Sequence, residues 1–196
     1  MPETMTDWGY SVEGESLPLL VSVSDFRTLV PGLSATDAQL QAVLAGVSAA
    51  VRNHCGWHVA PALACTYVGH GEGRLLMLPA MGVSSVTSLE VCGGEVDSAR
   101  YEWTAAGMVR LLGDVFPDAW RSVECKYTAG FTSTAIGQVV AQIASNALVA
   151  APGVREEHAG QVGITYNQTG SGISGGVSLL ARDVEMLAPY KLARAW

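Results

Sequence analysis

The sequence predicts an α+β fold: a small helix bundle with an inserted antiparallel β subdomain and a C-terminal helical arm. Three observations carry this. Leu40, Val43, Leu44, Val47, Val51 and His54 recur at the 3.6-residue spacing of one helix face, and Ile136, Val139, Val140, Ile143, Ala147 and Leu148 do so again far downstream. Between them, residues 62–128 turn to short runs of branched and aromatic residues separated by glycine and proline turns, with no helical period. After the glycine-rich stretch Gly170–Gly176, the chain closes on a spaced series of apolar and aromatic residues. Two apolar helix faces, far apart in the polypeptide, are expected to pack on each other.

Residues 1–23 show no clear periodicity and read as an extended or partly ordered N-terminal arm. Ser24 then caps a short helical turn, Asp25–Val30, that Pro31-Gly32 ends. The long helix follows, capped by Ser34 with Asp37 or by Thr36 with Gln39, and stopped by a left-handed Gly56. Each apolar side chain buried on its face is worth ~1.5–3 kcal/mol before entropy is subtracted. Residues 24–61 and 129–166 make up the helical core. The β insertion spans 62–128, with strands at Leu63–Val68, Arg74–Leu78, Val83–Val91, Arg100–Thr104, Met108–Leu112 and Ser122–Tyr127. Short links favour an antiparallel sheet or small barrel over a parallel βαβ arrangement. Thr132–Thr134 cap the second long helix, Gly137 weakens it locally and Pro152-Gly153 end it. Arg155–Gly163 reads as a loop before a short strand at Ile164–Tyr166. Residues 167–196 form a hinge and a C-terminal docking arm, with a last helix at Leu179–Leu187 opened by Ser178.

Composition narrows the function. With 49% hydrophobic and 15% charged residues, the 196-residue chain has ample core material and sparse surface charge. A formal net charge of −7 argues against general nucleic-acid binding, which needs clustered Lys and Arg. Cys55, Cys65, Cys92 and Cys125 include no C-x-x-C pair, which excludes the usual zinc and thioredoxin-like spacings. The acidic start lacks the regions of a signal peptide, so the cysteines read as reduced thiols of a protein made in a cytoplasm. Val139–Pro152, broken by Gln142 and Asn146, is too short and polar to span a bilayer.

No constellation supports catalysis, a cofactor or a metal. Gly69-His70-Gly71-Glu72-Gly73 lacks the GK[ST] ending of a phosphate loop and precedes a strand, so it reads as a hairpin turn. His54 and His58 are four apart, but Gly56 and Trp57 interrupt the helix between them. A small metal-dependent hydrolase built on His54, His58 and Glu72 is the less favoured alternative. Gly172-Ile173-Ser174-Gly175-Gly176 matches the nucleophile-elbow spacing, yet no apolar strand precedes the serine and no histidine follows His158. Glu156-Glu157-His158 sits in a polar stretch, where neighbouring side chains rarely converge on one substrate. The closing segment says more. Leu179, Leu180, Val184, Leu187, Tyr190, Leu192 and Trp196 describe either a helix folded back on its own core or an arm anchoring on a partner.

The order of these pieces resembles the head-to-tail connector (adaptor) proteins of tailed bacteriophages and gene-transfer particles. The matching marks are Asp25-Phe26-Arg27 leading to Pro31-Gly32-Leu33-Ser34, Cys55-Gly56-Trp57-His58, and Leu75-Leu76-Met77-Leu78-Pro79 followed by Val83–Val91. Tyr127-Thr128-Ala129-Gly130-Phe131 and the closing Leu187-Ala188-Pro189-Tyr190 complete them. The resemblance runs from about Val23 onward and omits the N-terminal arm and the glycine hinge. It implies a non-enzymatic virion protein of the head-tail junction, in a ring commonly of twelve copies beneath the portal protein, which then receives the stopper or tail-completion protein. DNA would pass through the ring without specific binding, as an acidic lining favours. The resemblance also implies portal docking by the C-terminal arm, with Leu180, Met186, Leu187, Tyr190, Leu192 and Trp196 as candidate anchors. Removal of residues 177–196 should then abolish docking and spare the fold. The β insertion is expected on the ring's exterior. Another head-completion or tail-terminator component is the alternative within the same class.

Overall fold

The computed structural model describes residues 2–149, 156–159, 162–165 and 179–192. It divides into two compact units. The division differs from the segments expected from the sequence. Residues 1–18 and 56–132 build one unit, the β unit, to which Leu192 also belongs; Leu19–Cys55 and Ser133–Lys191 build the other, the helical unit.

The β unit begins with a hairpin where an arm was expected. Strands β1 (Glu3–Met5) and β2 (Tyr10–Glu13) pair antiparallel around a turn containing Gly9 at φ 84°. Tyr10 and Val12 point into the core and Glu13 faces out. That alternation is real but only four residues long, too short to read as a period. The insertion supplies β3 (Leu63–Gly69), β4 (Leu75–Met77), β5 (Val83–Val91), β6 (Gly94–Glu95), β7 (Tyr101–Trp103), β8 (Met108–Leu111) and β9 (Val123–Ala129). They form two antiparallel sheets, one of order β1-β2-β3-β9-β5-β6 and one of order β4-β8-β7. Strand β9 is the centre of the larger sheet. Val123, Cys125, Tyr127 and Ala129 alternate inward, while Glu124, Lys126 and Thr128 face away.

The entry to β3 is tightly determined. Val59 is held at φ 66° by an i to i+2 bond from the Ala60 N–H to the His58 carbonyl (2.8 Å), and its own carbonyl accepts from the Phe131 N–H (2.8 Å). Trp57 meets Phe131 edge to face at 5.7 Å and is fully buried.

In the helical unit, α1 (Val23–Leu29) starts at Ser22, whose Oγ accepts from the Asp25 N–H at 3.1 Å. Helix α2 (Asp37–Cys55) carries the second of the two expected caps. The Thr36 N–H donates to Gln39 Oε1 (2.9 Å) and the Gln39 N–H donates to Thr36 Oγ1 (3.2 Å). Gly56 follows at φ 80°. Leu40, Leu44, Val47 and Val51 are buried to within 1%. Helix α3 (Ser133–Val149) buries Ile136, Val140, Ile143 and Ala144, and packs on α2. The two faces expected to mate do so. Two further strands, β10 (Glu156–Ala159) and β11 (Val162–Thr165), pair where a loop and one strand were expected. Helix α4 (Ala181–Leu187) packs on α2 and α3. The Gly170–Gly176 hinge and Trp196 lie outside the described residues.

Candidate functional site

No helix among the described residues is long and apolar enough to cross a membrane, and no group of three His, Cys, Asp or Glu side chains among them could hold a metal ion. His58 is instead part of the β-unit framework. It is fully buried, its Nδ1 lies 2.7 Å from Tyr10 Oη and its Nε2 lies 2.9 Å from the Ala129 carbonyl. The carbonyl can only accept, so Nε2 carries the proton and Nδ1 accepts from the tyrosine hydroxyl. That hydroxyl in turn accepts from the His58 main-chain N–H at 3.0 Å. Such a ring is a structural tie. Glu72 is exposed in the turn between β3 and β4, and His54 is half-buried near the end of α2 in the helical unit.

All four cysteines are free thiols. Burial pushes the Cys65 and Cys125 thiols up to about 12 and the Cys55 thiol up to about 11, the latter partly offset by the Lys191 charge. Cys92, in the β5–β6 turn, is exposed. A maleimide at pH 8 is therefore expected to modify one thiol, Cys92, in the native chain and four after denaturation. More than one fast-reacting thiol in the folded chain would contradict these burials.

The α4 segment presents two sides. Leu187 is fully buried and Asp183 is 1% exposed, its carboxylate accepting from the Leu180 N–H at 3.0 Å. Met186 and Val184 face solvent, at 44% and 37% exposure. Leu180, Tyr190 and Leu192 are half-buried. Of the candidate anchors, Leu187 therefore serves the core of its own unit in this conformation, while Met186 is open. The second surface is acidic. In the six-stranded sheet the registers Glu3↔Glu13, Glu90↔Glu124 and Glu90↔Glu95 set five glutamates on the outward face, opposed by Lys126 alone, which lies 3.3 Å from Glu124. Between 1–18 and 56–132 the β unit has twelve acidic and five basic residues. Sequence showed the total charge but not its gathering on one sheet face, because that depends on which strands are neighbours.

Solved structures resemble the whole of this chain. A chain in the neck of an empty gene transfer agent particle, determined with six-fold symmetry, superposes with a TM-score of 0.60 at 18% identity, over 94% of this chain and 96% of that one. The fold is that of a gene transfer agent neck chain. A chain from the virion of the native particle gives 0.55 at 20% identity, over 90% and 92%. One from the native neck, determined with twelve-fold symmetry, gives 0.53 at 17%, over 100% and 98%. No protein-family model matches the sequence, and no curated protein sequence matches it.

Proposed function

We propose that this chain is a structural, non-enzymatic protein of a virion neck: a head-to-tail adaptor that forms a ring under the portal protein and receives the stopper or tail-completion protein. The observation carrying this reading is a likeness spanning 94% of this chain and 96% of a chain from a gene transfer agent neck. Symmetric necks with six-fold and twelve-fold order support a ring, with twelve copies as the proposed number. The acidic sheet face supports DNA passage without adhesion, since it repels phosphates.

In this reading the portal meets the C-terminal segment, and Met186, which faces solvent, is its foremost anchor, with Leu180, Tyr190, Leu192 and Trp196 as the further candidates. Single contacts of this kind are weak, and a ring adds them by avidity. Electron microscopy of assembled particles should place the chain between portal and stopper. Met186→Glu is expected to weaken capture by portal at least tenfold while the melting temperature holds, because its side chain faces solvent. Undiminished capture would remove this side of α4 from docking, and density at another level of the particle would remove the adaptor role.

A further inference from the structure

We infer that the outward face of the β4-β8-β7 sheet is a contact surface between copies of this chain, an inference that rests on the ring proposed above. The registers put Met77 opposite Met108, Leu75 opposite Arg110 and Arg110 opposite Glu102, so these five side chains share one face. On the opposite face Leu76, Val109, Leu111 and Tyr101 are buried, and only Trp103, opposite Val109 at the β7 edge, is partly open at 38% exposure. The solvent side of an antiparallel sheet is ordinarily polar. Here Leu75, Met77 and Met108 stand 44%, 49% and 37% exposed. The two charges on this face, Arg110 and Glu102, lie 3.4 Å apart and cancel.

Charge selects the occupant. Residues 1–18 and 56–132 hold twelve acidic against five basic residues, and five glutamates crowd the outward face of the larger sheet. A basic partner would be drawn to that acidic face and would gain little from a neutral one. A second copy is itself acidic, so acid-on-acid approach is repulsive. It closes most readily over a neutral, apolar patch, and this sheet face is one. Methionine suits the task, being favoured at interface centres and able to adapt its unbranched side chain to the opposing surface. In a closed ring the contact is head-to-tail, so the patch meets a different surface on the next copy and every copy is used once on each side.

The test uses the full chain in assembled particles, with a benzophenone amino acid placed at Met77. Illumination is expected to give an adduct of twice the chain mass whose cross-linked peptides both come from this chain. A ring visible by electron microscopy together with cross-links only to another protein, or none, would overturn the inference and leave the adaptor reading standing. Absence of a ring would overturn both. As a second arm, the double substitution Met77→Glu, Met108→Glu should lower the copies per particle at least tenfold, with an unchanged circular dichroism melt. Incorporation at the wild-type level would also overturn it.

Discussion

Leu187→Ala is expected to lower the stability of the helical unit by about 2–5 kcal/mol, read as a shift in the urea midpoint at unchanged slope. Met186→Ala, one residue away, is expected to stay within about 0.5 kcal/mol of wild type. The difference is geometric. Leu187 is fully buried where α4 packs on α2 and α3, and truncating it leaves a cavity that a 7-residue helix, held by few other contacts, cannot close. Met186 faces solvent at 44% exposure, so its loss removes little buried area. Equal midpoints for the two variants would mean that α4 is not held by its buried side. The same contrast changes how docking should be tested. Deleting residues 177–196 removes Leu187 along with Met186, so lost portal binding in that truncation would mix unfolding with docking. Outward substitutions separate them.

What the residues revealed in advance follows from the range of the forces involved. Helix α2 was legible to its cap, because the Thr36–Gln39 exchange and the Gly56 stop are local chemistry within a few residues. Six of the seven insertion strands were legible for the same reason, with Val83–Val91 matching end for end, and only the two-residue β6 was not. Strand neighbours were not. Strand β9 lies between β3 and β5, pairing Cys125 with Tyr67 on one side and with Leu89 on the other, and no local pattern carries a pairing across so many residues. The N-terminal hairpin stayed hidden because its β2 strand has four residues and its partner β3 begins 50 positions after β2 ends. His54 was expected on the buried face of α2; the neighbouring Cys55 is buried to 1% instead, and His54 sits half-buried at the helix end. As for docking, spacing identified the apolar residues of the last segment, but a turn of helix has two sides. Only the packing of α4 distinguishes Leu187 from Met186.

His58→Ala is expected to destabilise the β unit by about 3–5 kcal/mol, and Tyr10→Phe by about 1–3 kcal/mol. Removing the imidazole takes the donor from the Ala129 carbonyl and the acceptor from the Tyr10 hydroxyl, both in a buried setting, and opens a ring-sized void beside Trp57. Removing only the hydroxyl takes one partner from Nδ1 and one from the His58 main-chain N–H, and leaves the packing of the two rings in place. The double variant should cost less than the two single losses combined, by about 0.5–3 kcal/mol, because both delete the same hydrogen bond. This tie joins the N-terminal hairpin to the segment leading into β3 and to the end of β9, so its loss should free the hairpin first. Hydrogen exchange of the Thr6 and Val12 amides in Tyr10→Phe is the direct readout. Protection equal to wild type there, with additive stabilities, would show that the hairpin is held by strand pairing alone and that His58 is not its anchor.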